Sequence, residues 1–322
     1  MVDGLHAALS AESDGERLPI RRGEDRRTVK RPRVAVLLAV YNRVATTLRC
    51  LYEVESLRGT GQSVEIFLVD DGSSDGTGRE VAMQFPAVHL SHGDGTLFWG
   101  GGMHRVFGEA LAGEFDYYLL LNDDTRLDPA ALEVLLATEK EAMAALQRPA
   151  IVVGSVADPS TGEFSYGGWT ARRGGVWPFS WPSWQKTPPD PVRWKECATM
   201  NGNCVLIPHR IATQVGNLDP AFRHVGGDLD YGLRARQAGY PVVIAPGFIG
   251  VCELNRAQPP WLDRSRSLGQ RWAALRGPKG FPPSGWGRFV RRHKGALWLL
   301  PWLLPYARFW LGELRALLPG RS

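Results

Sequence analysis

The stretch Tyr117-Tyr118-Leu119-Leu120-Leu121-Asn122-Asp123-Asp124-Thr125 decides how the chain is read. Its five apolar or aromatic residues in a row predict a strand buried on both faces. Adjacent carboxylates end it. A buried strand that ends in acids delivers them to the carboxyl edge of a sheet, where open α/β folds bind ligands. Hard divalent cations favour such oxygens, and Mg2+ is usually held by one or two carboxylates plus substrate phosphates. Alone, the stretch also fits an Asp-rich turn, because Asp128-Pro129 just after it starts a helix.

The residues upstream tilt the balance. Val34 to Val40 predicts a first buried strand, Tyr41-Asn42-Arg43 a turn, and Val44 to Leu57 a helix. Val64 to Val69 predicts a second strand, which runs into the polar turn Asp70-Asp71-Gly72-Ser73 and a helix from about Gly78 to Gln84. Val88 to Ser91 is a short strand, His92 to Met103 a glycine-rich stretch containing Phe98 and Trp99, and Met103 to Ala112 a helix. Alternating strands and helices imply a mainly parallel sheet with right-handed crossovers. Parallel strands place the turns at Asp70-Asp71 and Asp123-Asp124 on one edge. A pair of acidic turns on one edge makes a site for a metal-bound, hydrogen-bonding ligand.

Downstream, Pro129 to Ala145 is a helix and Ile151 to Val156 a strand. Asp158 to Glu196 is rich in Gly, Pro and Trp (Trp169, Trp177, Trp181, Trp184, Trp194) and fits short antiparallel strands and loops. Asn201 to Ile207 turns into a strand, Pro208 to Val215 is a helix, and Pro241 to Pro246 a strand. Gly226-Gly227-Asp228-Leu229-Asp230 is a glycine-flanked acidic turn before a helix at Leu229 to Ala238. Of its acids, one can cap the helix while the other faces a cleft.

The 322 residues, 44% of them hydrophobic, suffice for one large α/β domain with an appendage or for two modest domains. Four cysteines without CxxC spacing read as reduced thiols rather than a zinc site. Met1 to Arg33 is polar, has no apolar signal-like core, and is expected to be a disordered basic arm. No uncharged apolar run is long enough to span a bilayer. The net charge of +5 is unevenly placed: from Arg264 to Arg321 only Glu313 opposes a long series of Arg and Lys. That tail also carries Trp298, Trp302, Tyr306, Trp310 and many leucines. Such a mixture suits a segment lying in an anionic membrane interface more than a nucleic-acid stacking platform. An amphipathic helical pair packed on the domain, or on a second copy in a homo-oligomer, is the alternative.

Four segments together resemble the family-2 glycosyltransferases of the GT-A fold, bacterial rhamnosyltransferase-like members included. They are VAVLLAVYNR (34–43), FLVDDGSSDGT (67–77), LLLNDDTRLDP (119–129) and NGNCVLIPHRIATQVGNLDPAF with GGDLDYGLRARQAGYPVVIAPG (201–222 and 226–247). The likeness covers roughly Arg33 to Gly250. It implies an α/β, Rossmann-like, mixed but mainly parallel sheet flanked by helices, with the C-terminal amphipathic segment outside it. It divides the chain into the arm (1–33), a catalytic domain (34–255, with a nucleotide-sugar half at 34–130 and an acceptor half at 151–255) and a basic, aromatic helical segment (256–322).

The resemblance implies a nucleotide-sugar donor, UDP- or dTDP-linked, and a glycan or lipid-linked glycan acceptor. Asp70 matches the acid that hydrogen-bonds the nucleobase, beside Val40, Tyr41, Asn42 and Asp71. Asn122-Asp123-Asp124 matches the DxD position, with Asp124 holding Mg2+ or Mn2+. The glycine-rich stretch, Gly101 included, matches the loop under the donor sugar. Asp228 matches the general base. Two departures stand out: Gly227 replaces the usual Glu before the base, and Cys252 stands where a His ligand is common, with Glu253 as a substitute. The chemistry agrees independently. An acceptor hydroxyl needs a carboxylate to take its proton as it attacks the anomeric carbon, and a single in-line displacement inverts that centre. The competing readings are a sugar-nucleotide pyrophosphorylase, which lacks its glycine-rich phosphate loop here, and a catalytically silent membrane-bound scaffold. The expected location is the cytoplasm, peripherally on the inner face of the plasma membrane.

Overall fold

Alternate residues of the first strand enter two different apolar clusters. Val34, Val36, Leu38 and Val40 pack with Cys50, Leu51, Val81 and Leu132, while Ala35 and Leu37 pack with Met103, Phe107 and Tyr231. A strand with helices on both faces has no solvated side, which is why its sequence is continuously hydrophobic. The computed structural model describes residues 31–57, 61–172 and 183–317, which all lie within one compact unit. Most of the arm expected at 1–33, together with Trp177 and Trp181, lies outside the described residues.

The first half contains β1 (Arg33–Val40), α1 (Val44–Ser56), β2 (Ser63–Asp70), α2 (Thr77–Gln84), β3 (His89–His92), α3 (Phe98–Leu111), β4 (Tyr117–Leu121), β5 (Arg126–Leu127), α4 (Ala131–Leu146) and β6 (Ile151–Ala157). Then come β7 (Phe164–Tyr166), β8 (Gly168–Arg172), β9 (Ser183–Thr187), β10 (Lys195–Cys197), β11 (Thr199–Met200), β12 (Cys204–Pro208), α5 (His209–Val215), α6 (Gly227–Gln237) and β13 (Val242–Val251). Three helices close the described chain: α7 (Leu268–Arg276), α8 (Pro283–Lys294) and α9 (Leu299–Leu317).

The large sheet runs β10-β13-β6-β12-β4-β1-β2-β3, with β5 added to β13 and β7 to β6. Strands β3, β2, β1 and β4 are mutually parallel, β12 is antiparallel to β4 and β6, and β13 is parallel to β6. A small antiparallel sheet, β11-β8-β9, occupies the region rich in Gly, Pro and Trp. The expected mixed, mainly parallel sheet flanked by helices is thus the observed one.

Two elements differ from their sequence expectation. Helix α3 begins at Phe98, inside the glycine-rich stretch, rather than at Met103. Glycine disfavours helix locally, but a Cβ at Gly100 would lie 1.9 Å from the Phe222 carbonyl oxygen. Close packing therefore overrides propensity. Strand β13 continues past Pro246 to Val251, with its pairing register shifted between Ile244 and Phe248. Such an irregularity is where a strand tolerates proline.

Candidate active site

The topology brings six chain segments to one edge. Register pairs Val40 with Asp70 and Asp70 with His92, so β1, β2 and β3 end level. Strand β4 ends beside them at Leu121, and the Asn122 N–H continues its ladder by donating to the Asn203 carbonyl at 3.0 Å. Because β12 runs the other way, the residues before it, Gly202 and Asn203, arrive at the same edge. Strand β13 runs with β6 and delivers Cys252 and Glu253 there.

A cleft of about 860 Å³ opens at that edge. Of the residues singled out from sequence, Val40, Tyr41, Asp71, Asn122, Asp123, Asp124 and Asp228 line it. Asp70, Asn42 and Gly101 do not. Asp70 is buried and accepts the Ser73 N–H at 3.0 Å. Asn42 has φ 51° and uses its side-chain carbonyl to accept the Ser74 N–H at 2.7 Å, pinning the next turn. Gly101 sits within α3, where its N–H donates to the Leu97 and Arg223 carbonyls. Gly95, Phe98 and Trp99 of the same stretch do line the cleft, while Gly100 packs against the Phe222 backbone.

Each acid in the cleft has a distinct setting. The Arg43 guanidinium bridges Asp123 at 3.0 Å and Asp124 at 2.9 Å. Asp123 is buried and also accepts the Thr47 hydroxyl at 3.0 Å; burial raises its pKa, and Arg43 and Thr47 offset only part of that. The Asp124 side chain is 41% exposed. The Cys252 thiol points at it from 3.7 Å. That thiol is buried, and burial together with the Asp124 charge pushes it up to about 12. It therefore stays protonated and is a poor partner for a hard cation.

Asp71 accepts backbone N–H groups from Gly95, Leu97 and Phe98 at 2.8–3.2 Å, so it shapes the approach to α3. Phe98 holds φ 56°, a region that bulky residues avoid. Its Asp71 hydrogen bond, the Arg223 guanidinium 5.1 Å from its ring centre and the His224 ring at 6.1 Å over-determine that conformation. Asn122 accepts the Trp99 indole N–H at 2.7 Å, which places the indole at the cleft wall. Asp228 accepts the Gly202 N–H at 2.9 Å and the Leu229 N–H at 2.8 Å. Burial nevertheless raises its pKa against those two donors.

Asp230 takes neither role expected of the acidic turn. It is fully buried and ion-paired with Arg234 at 2.8 Å, Arg292 at 2.6 Å and His293 at 2.9 Å. Arg292 also reaches Asp219 at 2.6 Å, as does Arg288. Helix α8 is thereby bolted to the segment that carries Asp228, and Phe222, Phe289 and Val290 bury an apolar contact beside the ion pairs. Arg264 and Arg271 are spent on Glu313. Much of the basic tail thus answers carboxylates of the chain itself.

Trp99 of the glycine-rich stretch lines the cleft, and so do Arg43, Tyr166, Gly202, Arg256 and Lys279, to which the sequence assigns no site role. Arg43 was within reach, since it follows β1 by three residues on the same turn as Tyr41. Lys279 carried no signal beyond its charge.

Acids from separate segments thus line one cleft at the carboxyl edge of the sheet, where open α/β folds bind ligands. The chain belongs to the family described as glycosyltransferase like family 2, whose model matches residues 32–274. Among characterised proteins it is similar to the N-acetylglucosaminyl-diphospho-decaprenol L-rhamnosyltransferase of Mycobacterium tuberculosis, with 25% identity over 214 residues, covering 58% of this chain and 66% of that protein. It is also similar to a galactofuranosyltransferase of the same species, with 28% identity over 248 residues, covering 66% of this chain and 36% of the relative. The chain therefore spans just under two thirds of the first relative's length and about a third of the second's. Among solved structures, a mannosyltransferase from Pyrobaculum calidifontis in complex with GDP-Man and Mn2+ aligns over 90% of this chain and 82% of that one, at 18% identity and a TM-score of 0.48.

Proposed function

We propose that the protein is an inverting, metal-dependent glycosyltransferase that moves a sugar from a UDP- or dTDP-linked donor to a hydroxyl of a glycan or lipid-linked glycan. The observation that carries this reading is the meeting of Asp124 and Asp228 in one cleft, although they are far apart in sequence. The family match and the lipid-linked substrate in the rhamnosyltransferase's name support it.

Asp228 takes the acceptor proton. Desolvation makes its carboxylate a stronger base than a free one, and the Gly202 and Leu229 N–H groups fix its orientation. The donor lies along the ends of β1, β2 and β4, with Tyr41, Asp71 and Asn122 at its walls. Asp70 and Asn42 act there by shaping the turns, as does Gly101 by seating α3. Among the described residues no group of three or more His, Cys, Asp or Glu is placed to hold a metal. An exposed Asp124, with Asp123 behind it and Glu253 on the cleft wall, still fits Mg2+ or Mn2+, because such ions take few protein carboxylates and complete their shell with phosphate and water. When bound, the ion would offset the charge developing on the departing diphosphate. Arg43 holds Asp123 and Asp124 in place from the side.

We assign the C-terminal segment to an anionic membrane surface at the cytoplasmic face. Helix α9 leaves Leu299, Leu300, Leu303, Leu304, Trp310, Leu311 and Leu314 exposed, and Arg308 and Arg315 lie on the same helix. Among the described residues no helix is long and apolar enough to cross a membrane. Sedimentation with anionic vesicles checks this: Leu300→Ser with Leu304→Ser should lower binding, whereas equal binding would assign the face to a second copy of the chain. The reaction is tested by measuring nucleotide release from UDP- and dTDP-sugars with and without Mn2+. Release that requires both Asp228 and the ion supports the proposal; no release with any donor would favour a silent scaffold.

A further inference from the structure

Three cations line the cleft, and two are already satisfied. Arg43 holds Asp123 and Asp124, and Arg256 holds Asp158 at 3.0 Å. Lys279 is exposed, lines the same cleft, and has no hydrogen-bond or ion-pair partner among the described residues. It lies beyond residues 32–274, the part shared with the family.

The chain holds this lysine on a tight support. Lys279 sits in the turn after α7, where the Gly280 N–H donates to the Gly277 carbonyl at 2.9 Å and the Phe281 N–H donates to the Leu275 carbonyl at 2.6 Å. A Cβ at Gly280 would lie 2.3 Å from the Leu275 carbonyl oxygen, so the turn closes only on glycine. The Tyr306 hydroxyl of α9 donates to the Phe281 carbonyl at 2.7 Å. One body therefore carries both the lysine in the cleft and the exposed leucines of α9.

The position of Lys279 indicates which substrate it meets. Its charge is close enough to His224 to lower that ring's pKa, after burial as the larger cause. His224 lines the cleft four residues before Asp228, and its Nδ1 is buried without a hydrogen-bond partner among the described residues. An anion here would enter beside the base, where the acceptor hydroxyl must come. The donor's diphosphate is expected at Asp124, where Arg43 already stands.

We propose that Lys279 binds a phosphate of the acceptor, and that the acceptor is an amphiphile: a sugar joined through phosphate or diphosphate to an apolar chain that rests along α9. This rests on the glycosyltransferase reading above. An ammonium that gains a charge-assisted bond to phosphate in a partly desolvated cleft contributes about tenfold or more in affinity.

The test uses the full chain, with farnesyl diphosphate, farnesol, UDP and dTDP as calorimetric probes. Wild type should bind farnesyl diphosphate more tightly than farnesol. Lys279→Gln should weaken farnesyl diphosphate about tenfold, Lys279→Arg should restore most of it, and nucleotide affinity should change less than twofold. Lys279 makes no hydrogen bond or ion pair among the described residues that its loss would break, so the melting temperature should stay the same. Equal binding of farnesyl diphosphate by wild type and Lys279→Gln, or a matching loss of nucleotide affinity, would overturn the assignment, as would no preference for the diphosphate over farnesol. Wild type that binds neither nucleotide would instead overturn the reading of the active site itself.

Discussion

The same constellation, one arginine between two aspartates, occurs twice in this protein. In the cleft, Arg43 joins Asp123 and Asp124; under helix α8, Arg292 joins Asp219 and Asp230. The Arg43 and Asp124 side chains are 48% and 41% exposed and only Asp123 is buried, whereas Asp230 is wholly enclosed, Asp219 is buried and Arg292 is 26% exposed. Exposed ion pairs contribute little and exchange readily, but breaking a buried pair strands a charge. The first network is therefore open to the cleft through Arg43 and Asp124, while the second is structural and fixes the helix that bears Asp228, the proposed base.

The largest effect should come from the residue beside the second network. Asp228→Asn is expected to lower turnover by about 10²–10⁴-fold, the usual range for losing a general base, with nucleotide affinity unchanged. Because burial raises the Asp228 carboxyl, the acid limb of transfer should fall at a pH above the ordinary Asp value of about 4. A limb at or below that value would detach Asp228 from the rate.

Next in size is Asp230→Ala, which leaves Arg234, Arg292 and His293 without their shared carboxylate. Denaturant unfolding should show a loss of about 3–5 kcal/mol. Burial pushes the Asp230 carboxyl up, but His293, Arg234 and Arg292 outweigh it and hold the carboxyl below its usual range. Its stabilisation is then complete above about pH 4 and lost as pH falls through the depressed folded value. The wild type should lose stability in that acid window, and Asp230→Ala should lose less. A smaller contrast separates the two arginines. Arg292→Gln should cost more stability than Arg43→Gln, by about 2 kcal/mol, while only Arg43→Gln weakens nucleotide binding. Reversal of either ordering would break the distinction between the networks.

The cleft acids were legible in the sequence because each ends a buried strand or opens a helix, patterns that survive without tertiary knowledge. Asp123 and Asp124 follow Tyr117–Leu121 directly, and parallel strands share an edge. What was not legible depends on contacts across the fold. Three glycines at 100–102 read locally as loop, yet they lie in the first turns of α3, where the Phe222 backbone leaves no room for a side chain at Gly100. The tail's arginines read as seeking an outside anion, yet Arg271, Arg288 and Arg292 find carboxylates of the same chain. Nothing local distinguishes those from Lys279, which lines the cleft and has no ion-pair partner among the described residues.

The most direct measurement is calorimetric titration of UDP and dTDP, with and without Mn2+, into the wild type, Asp124→Asn and Asp228→Asn. The account predicts Mn2+-dependent binding of one nucleotide, lost in Asp124→Asn and kept in Asp228→Asn. Equally tight, metal-independent binding in all three proteins would contradict it.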